Sequence, residues 1–271
     1  MLVDGAATAR IPVDDRGLQY GDGLFETIAV RDGRPCLWDR HSARLRDGCR
    51  RLGLGQPDPN QLLHAAQSLL NGRRQAVLKI LVTRGSGGRG YRPPGNGRSR
   101  QILQVSPWPE WPAAWHDHGV RVRYCDTPLA DSPAVAGLKH LGRLEQVLAR
   151  AEWDDPDIGE GLMLDAAGSV IEATQSNVFA ESDGQLVTPQ LTRAGVAGVV
   201  RGLVMDLALQ TDKPVMVRPL APTELTRMDS LYLTNSLIGV WRVAALADHV
   251  YPADRAWHPV MRDAMEAAYR P

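Results

Sequence analysis

Apolar and polar positions in the first hundred residues follow the periods of both strands and helices. Period-two patterns rich in β-branched residues predict three strands, at 24–30, 76–83 and 101–106. Helical spacing predicts a helix that begins near Asp39 as its N-cap and a second helix over about 60–70 that ends at Asn71. Together these elements predict a smaller α+β domain over residues 1–107.

Prolines interrupt the pattern at 108–112, where the sequence is Trp-Pro-Glu-Trp-Pro. Because proline neither pairs inside a sheet nor continues a helix, we expect an interdomain linker over residues 108–119. The rest of the pattern predicts further strands and helices, at 120–124, 162–188, 198–210, 215–217, 231–234 and 253–269. They predict a larger α+β domain over residues 120–271 that carries Lys139, and hence a two-domain α+β protein.

The segment 137–150 has the clearest helical periodicity in the chain. Four apolar residues recur at helical spacing and predict one buried face, namely Leu141, Leu144, Val147 and Leu148, while Arg143 is left for solvent. On this interpretation Lys139 lies at the helix entrance, where a cation opposes the helix dipole. Helix stability does not favour an amine there, so the pattern suggests a chemical reason for the lysine. A solvated surface lysine is the alternative.

Composition narrows the possible functions. Basic and acidic residues balance at 31 each, which gives no overall field that would favour nucleic acid or an acidic membrane. No apolar run approaches the ~20 residues of a transmembrane helix. The three cysteines, Cys36, Cys49 and Cys125, are scattered without metal-ligand spacing, so we expect no metal site and a reducing cytoplasm.

Four further features could form one site with Lys139. Glu172 precedes a polar cluster at 174–177, and Gly198 opens a helix whose first free N–H groups favour a phosphate. Arg44 lies on the first predicted helix. An amine, a carboxylate, phosphate donors and an arginine suit pyridoxal 5′-phosphate. Taken singly, Glu172 could be an edge glutamate and Gly198 an ordinary helix start, and a surface arginine is the preferred interpretation of Arg44. Neither composition nor periodicity decides whether the set forms one site.

At these residues the chain resembles the fold-type IV pyridoxal-phosphate enzymes, which include D-amino-acid transaminases, branched-chain aminotransferases and 4-amino-4-deoxychorismate lyases. The resemblance extends nearly from end to end, through motifs at Asp15-Arg16-Gly17, Gly21-Asp22-Gly23, His41-x-x-Arg44-Leu45, Lys139, Glu172…Ser176-Asn177-Val178-Phe179 and Gly198-Val199-Val200-Arg201. It implies the two-domain α+β architecture of the D-amino-acid transaminases.

The resemblance also implies a role for each matching residue. Lys139 carries the cofactor, Glu172 pairs with its pyridine nitrogen, and Arg44 holds its phosphate together with the amides of Val199 and Val200. Many members have threonine where this chain has Val200, so only the amide can serve there. The further cofactor-binding residues implied by the match are Ser176, Asn177, Asn235 and Ser236.

Two segments are most similar to the lyases. Residues 78–91 resemble their glycine-rich substrate loop, and residues 139–148 resemble their lysine helix. D-amino-acid transaminases share the arginine at Arg89, but they have a histidine in place of Tyr91 and a tyrosine in place of Phe25. The resemblance therefore favours a lyase over a D-transaminase.

The resemblance thus implies an enzyme that converts 4-amino-4-deoxychorismate to p-aminobenzoate and pyruvate, a lyase step in folate biosynthesis. The substrate's 4-amino group would replace Lys139 on the cofactor, after which the freed lysine removes the C4 proton and the enolpyruvyl group leaves. The implied substrate-binding residues are Arg89, Tyr91, Phe25 and, more weakly, Arg84. We expect a cytoplasmic homodimer that acts on a small molecule, without nucleic-acid or membrane partners. Alternatives are a D-amino-acid or branched-chain aminotransferase and a non-catalytic cofactor-binding protein.

Overall fold

The structure is a computed structural model that describes residues 1–95, 98–211, 214–253 and 257–270. The chain divides into two compact units. Unit 1 contains Met1–Pro109, Leu138–Gly142 and the chain end from Tyr269, whereas unit 2 contains Glu110–Gly137 and Arg143–Ala268. This division groups Lys139 with unit 1, although the sequence placed it in the larger domain. The predicted domains 1–107 and 120–271 stay a prediction, because a grouping by contacts does not show which parts fold independently.

Unit 1 is built on a six-stranded sheet in the order β2-β1-β6-β5-β3-β4. Its elements are β1 Leu2–Val3, β2 Ala6–Ala7, α1 Arg16–Tyr20, β3 Gly23–Arg31, β4 Arg34–Pro35, α2 Trp38–Leu52, α3 Pro59–Leu70, β5 Ala76–Thr83 and β6 Arg100–Ser106. The central strands β3, β5 and β6 pair antiparallel, and β-branched and leucine side chains such as Ile28, Leu78 and Ile80 are buried. The three predicted strands of this half are confirmed.

The ends of α2 and α3 show which of the predicted helix caps are present in the structure. Asp58 caps α3 by accepting hydrogen bonds from two backbone N–H groups, and Asn71 ends that helix in the left-handed conformation, as predicted. The prediction that Asp39 caps α2 is wrong, since the N-cap is Leu37 and Asp39 lies in the first turn. A carboxylate is favourable there through the helix dipole, without a capping hydrogen bond.

Unit 2 contains a nine-stranded sheet in which β12-β11-β10-β13-β14-β7-β8-β9 are neighbours and β15 pairs with β14. Its strands are β7 Val120–Tyr124, β8 Ile158–Leu164, β9 Val170–Ala173, β10 Asn177–Ser182, β11 Gln185–Pro189, β12 Met216–Arg218, β13 Ser230–Asn235, β14 Gly239–Leu246 and β15 His249–Val250. Its helices are α4 Ala113–His118, α5 Leu144–Arg150, α6 Val199–Leu209, α7 Pro222–Leu225 and α8 Trp257–Tyr269. Two separate sheets with helices confirm the α+β class, although the sequence prediction missed the central strand β14.

Two predictions about the segment after Lys139 are wrong. Helix α5 begins at Leu144, so Lys139 lies in an extended segment five residues before the helix and not at its entrance. The expected apolar face is largely exposed within the chain, with Leu144 at 71 %, Val147 at 61 % and Leu148 at 54 %, whereas Arg143 is half-buried. Residues 254–256 of the predicted last helix lie outside the described residues. Among those described, no helix has the length and apolar content to cross a membrane.

Candidate active site

The backbone of Lys139 is held by the first residues of β3. The Phe25 N–H donates to the Lys139 carbonyl at 2.9 Å, and the Leu141 N–H donates to the Gly23 carbonyl at 3.0 Å. Gly23 permits this close approach, because a Cβ at that position would overlap the Val82 carbonyl and the Leu141 side chain. The glycine motif of the sequence therefore places the lysine segment along a sheet strand.

Two lysine side chains lie beside the Phe25 ring. The Lys139 amine is 4.3 Å from the ring centroid and the Lys79 amine is 5.3 Å from it, both within the range of cation–π attraction. Sequence reasoning missed Lys79. The available signal was a lysine in the middle of the otherwise apolar strand β5, where a cation needs a specific reason to be present.

A buried carboxylate holds Arg44, the predicted phosphate ligand. Glu26 accepts from the Arg44 guanidinium through both oxygens, at 2.8 Å and 2.5 Å, and from the His41 ring at 2.6 Å. Burial alone would raise the pKa of Glu26, but the charge of Arg44 and the hydrogen bonds from both partners lower that pKa to about 2. Burial lowers the pKa of His41, so the ring is neutral near pH 7 and donates its Nδ1 proton. Sequence reasoning missed Glu26 and His41 as partners of Arg44.

Asp22 joins two arginines at the base of the glycine-rich loop, which we define as residues 85–91. Its Oδ2 atom accepts from Arg16 at 3.0 Å and from Arg84 at 2.7 Å. Burial opposes ionisation of Asp22, yet the hydrogen bonds from Arg84 and Arg16 lower its pKa. Arg84 also donates to the Leu52 and Gly53 carbonyls, one bond from each terminal nitrogen. These bonds give Arg84 a structural role, and its part in substrate binding stays a prediction.

The glycine-rich loop forms one side of an open cavity of about 550 Å³ within unit 1. The cavity is lined by Asp14, Gln19, Tyr20, Gly87, Gly88, Arg89, Gly90 and Tyr91. Tyr91 is 85 % exposed and meets the Tyr20 ring edge-on at 5.6 Å between centroids. The structure thus groups Arg89 and Tyr91 with Tyr20, and the lining does not include Lys139 or Phe25.

In unit 2, Glu172 and Asn177 both form hydrogen bonds with the loop at 196–198, which leads into α6. The Val196 N–H donates to Glu172 at 2.8 Å, while the Asn177 amide donates to the Val196 carbonyl at 2.8 Å and accepts from the Gly198 N–H at 3.1 Å. A Cβ on Gly198 would overlap the Asn177 amide oxygen, so the loop requires glycine there. Glu172 and Asn177 are both buried.

A second buried carboxylate, Glu160, organises the turn at 174–176 between β9 and β10. It accepts from the hydroxyls of Thr174 and Ser176 and from the N–H groups of Gln175 and Gly161. Burial raises the pKa of Glu160, although these hydrogen bonds oppose that effect. Sequence reasoning did not single out Glu160, and no local signal marks a glutamate at this position of a strand as a ligand of a turn sixteen residues away.

Other predicted cofactor residues surround this turn and the start of α6. Asn235 donates to the Gln175 carbonyl at 3.2 Å and accepts from the Leu237 and Ile238 N–H groups, which fixes the turn after β13. Ser236 lies in that turn. Gly198 is the N-cap of α6 without a side-chain hydrogen bond, and Val199 and Val200 follow as the first helical residues.

The donor set fits a phosphorylated pyridine aldehyde. Glu172 is a buried carboxylate, and one of its oxygens accepts from a backbone N–H. Such a carboxylate suits a protonated ring nitrogen. A helix start with a glycine N-cap suits a phosphate, because its first amides point away from the helix without side-chain caps. Lys139 supplies the primary amine for an aldehyde, and Phe25 shields one side of it. These are the residues that could hold pyridoxal 5′-phosphate.

Comparisons with known proteins agree with this chemistry. A family model described as amino-transferase class IV matches residues 23–246. The crystal structure of 4-amino-4-deoxychorismate lyase from Pseudomonas aeruginosa superposes with a TM-score of 0.91 at 45% identity, covering 98% of this chain and 97% of that one. Aminodeoxychorismate lyase of Vibrio harveyi is 35% identical over 245 residues, or 90% of each protein. A putative branched-chain-amino-acid aminotransferase of Methanocaldococcus jannaschii is 31% identical over 84% of this chain and 80% of its own length.

Proposed function

The chain belongs to the amino-transferase class IV family, and from this premise we propose that it is an aminodeoxychorismate lyase dependent on pyridoxal 5′-phosphate. It would convert 4-amino-4-deoxychorismate to p-aminobenzoate and pyruvate. The observation that carries the proposal is the 45% identity with the Pseudomonas aeruginosa lyase across almost the whole of both chains. A branched-chain aminotransferase is the second candidate, supported by 31% identity to the Methanocaldococcus jannaschii protein.

Lys139 performs the proton transfers in this proposal. The bound cofactor supplies an electron sink for the electron pair left at the amino carbon of the substrate. Once free, the Lys139 amine would remove the proton at C4 and hold it as an ammonium. As the C3–O bond breaks, the electron pair from C4 would form the C3–C4 double bond of the aromatic ring, and the ammonium would return a proton to the departing enolpyruvate, which becomes pyruvate. The backbone hydrogen bonds to β3 keep the amine in register for both transfers.

The cofactor-binding residues act through the networks described above. We propose that Glu172 keeps the ring nitrogen protonated, while Arg44 and the amides of Val199 and Val200 bind the phosphate. The resemblance also implies contacts from Ser176 and Ser236, although the Ser176 hydroxyl donates to Glu160 and so could only accept from a ligand. Asn177 and Asn235 support them chiefly by fixing backbone loops, as their hydrogen bonds to the segments around Val196 and Gln175 indicate.

The substrate carries two carboxylates, for which the glycine-rich loop offers a cation. We propose that Arg89 binds one carboxylate, that the Tyr91 hydroxyl donates to the same group, and that Phe25 forms an apolar wall beside Lys139. What supports the loop assignment is its open cavity and the exposure of Tyr91.

The decisive experiment is a product assay on the purified protein with pyridoxal 5′-phosphate. The lyase should release p-aminobenzoate and pyruvate in equal amounts from 4-amino-4-deoxychorismate, and it should need no 2-oxo acid. An aminotransferase would instead form the pyridoxamine form of the cofactor when given branched-chain or D-amino acids. Rapid transamination without p-aminobenzoate would reject the lyase proposal, and inertness in both assays would favour a non-catalytic binding protein.

We also propose that the enzyme is a cytoplasmic homodimer without nucleic-acid partners. Three buried cysteines without disulfides suit a reducing compartment, and the balanced charge offers no attraction for nucleic acid. The exposed leucines and valine of α5 are an apolar surface of the kind that subunits cover. Light scattering should give twice the 29.6 kDa chain mass. A single-chain mass at micromolar concentration would contradict the dimer.

A further inference from the structure

We propose that Arg16 is the residue that positions the glycine-rich loop for substrate binding. This inference rests on the proposed function, because it concerns the loop that carries Arg89 and Tyr91. Arg16 is only 3 % exposed although it lies at the start of the five-residue helix α1. A buried guanidinium needs partners for its donors, and the partners found here are largely carbonyls of the loop itself.

Arg16 contacts both ends of the loop. Its backbone N–H donates to the Gly85 carbonyl at 2.9 Å, while its guanidinium donates to the Gly90 carbonyl at 2.9 Å and to the Tyr91 carbonyl at 3.1 Å. The loop therefore folds around one side chain, with Arg89 immediately before the two guanidinium-bound carbonyls. The Gly90 and Tyr91 carbonyls belong to the two peptides that flank the Tyr91 Cα, so fixing both limits the direction of the Tyr91 side chain and the path of the backbone just after Arg89.

The middle of the loop is fitted to the same side chain. A Cβ on Gly87 would come within 2.8 Å of the Arg16 Cδ atom, whereas a Cβ on Gly88 would meet no atom within 4 Å. Tyr20 packs on the other side, with its ring centroid 4.8 Å from the guanidinium carbon. Tyr20 in turn meets Tyr91 edge-on, so the guanidinium, the two rings and the loop form one packed cluster.

Asp22 sets the direction of the guanidinium. Its Oδ2 atom accepts from Arg16 Nε, which leaves the two terminal nitrogens for the loop carbonyls. Lysine could keep the ion pair with Asp22, but one ammonium on a flexible chain cannot reproduce three donors in a fixed plane. The arrangement thus depends on an arginine, and Arg16→Lys is the variant that separates loop positioning from charge.

The first test compares Arg16→Lys with Arg100→Lys in the lyase assay. Arg100 is a suitable control because it pairs with buried Asp15 and with Asp4, which both lie outside the loop. We expect Arg16→Lys to raise KM for 4-amino-4-deoxychorismate about tenfold or more, with kcat and cofactor affinity changed less than about threefold. Arg100→Lys should leave KM within about twofold of the wild-type value. An unchanged KM in Arg16→Lys, or an equal rise in both variants, would overturn the proposal.

A second test does not depend on activity or on the proposed substrate. Trypsin can cleave after Arg89, and the fragments 1–89 and 90–271 are identified by mass. We expect Arg16→Lys to speed this cleavage at least about tenfold, since local opening limits proteolysis of an anchored loop. Gly87→Ala, which presses on Arg16, should also speed it, while Gly88→Ala should not. Equal rates for wild type, Arg16→Lys and Gly87→Ala would overturn the positioning role, even if the lyase assay succeeds. If Arg16→Lys is cleaved faster than the wild type but the wild-type protein has no lyase activity, the loop anchor stands and the proposed function falls.

Discussion

The Lys139 amine lies 4.3 Å from the centroid of the Phe25 ring, and the Phe25 N–H donates to the Lys139 carbonyl at 2.9 Å. The two residues are therefore joined through both backbone and side chain. A backbone hydrogen bond to β3 fixes where the lysine starts, and the ring limits where its amine can go. This is the geometry needed by an amine that must bind a cofactor and later act at one substrate carbon.

The first prediction concerns which lysine carries the cofactor. The chain has three lysines, Lys79, Lys139 and Lys213, and Lys213 lies outside the described residues. Borohydride reduction of the holoenzyme should place the cofactor on Lys139 alone, and Lys139→Ala should lose both the adduct and turnover. Lys79→Ala is the matched control, since it removes the other amine beside Phe25 but should still be labelled at position 139. An adduct on Lys79 in the wild-type protein would disprove the assignment.

The second prediction concerns the buried pair of Glu26 and Arg44. Replacing Glu26 with glutamine removes the charge that orients the Arg44 guanidinium while nearly keeping side-chain volume. We expect the Kd for pyridoxal 5′-phosphate to rise about tenfold or more, because a charge-assisted hydrogen bond contributes ~1.5–3 kcal/mol. The Kd for pyridoxal, which lacks the phosphate, should change little.

Absorbance titration of the apoenzyme with each compound measures this difference. Asp47→Asn provides the control, because Asp47 forms an exposed ion pair with Arg50 on the same helix α2. If Glu26→Gln weakens both compounds equally, Glu26 supports the fold in general and has no specific effect on the phosphate ligand.

Whether a site residue could be predicted from the sequence depends on how far along the chain its hydrogen-bond partners lie. Lys139, Glu172 and the Gly198 helix start carry signals within a few residues, and each was predicted. Glu26 binds His41 and Arg44, which lie 15 and 18 residues further along the chain. Glu160 binds the hydroxyls of a turn 14 and 16 residues away. No local sequence pattern therefore marks either glutamate. Arg84 shows the converse case, since the sequence does not reveal that this arginine, which follows a strand, donates to Asp22 and to the end of α2.

The fold follows the same logic. Period-two and helical patterns located the longer elements of unit 1. Strand β14, which was missed, is buried almost throughout, and its sequence lacks a regular apolar–polar alternation. The apolar residues of α5 were predicted to be buried, but periodicity identifies a common face without identifying what covers it.

The third prediction is a pH dependence of stability that originates at Glu26. The pKa of Glu26 falls from 4.5 to about 2 on folding, so the carboxylate stabilises the folded state above pH 4.5 and this contribution is lost as the pH falls towards 2. The size of the loss is about 3 kcal/mol at 1.36 kcal/mol per pKa unit. Urea unfolding followed by tryptophan fluorescence at several pH values should show a shallower acid decline for Glu26→Gln than for the wild-type protein. Parallel declines in the two proteins would contradict this origin.

The last prediction concerns Glu160, whose two oxygens each accept from one backbone N–H and one hydroxyl. Oε1 accepts from Gly161 and Thr174, and Oε2 accepts from Gln175 and Ser176. Hydroxyls can rotate, but backbone N–H groups cannot. Glutamine at this position would therefore place its NH₂ group against a backbone N–H in either orientation.

We expect Glu160→Gln to lower the free energy of unfolding by ~1–3 kcal/mol, the cost of leaving a buried donor without an acceptor. Because the turn at 174–176 leads directly into Asn177, the affinity for pyridoxal 5′-phosphate should fall as well. Glu152→Gln is the matched control, since Glu152 also accepts two backbone N–H bonds, from Asp126 and Thr127, without touching this turn. It should keep its cofactor affinity and lose less stability, because Glu152 is only half-buried and water can replace the lost contacts. The contribution of Glu160 to the site is measured by the cofactor affinity of Glu160→Gln relative to Glu152→Gln, and equal affinities in the two variants would contradict it.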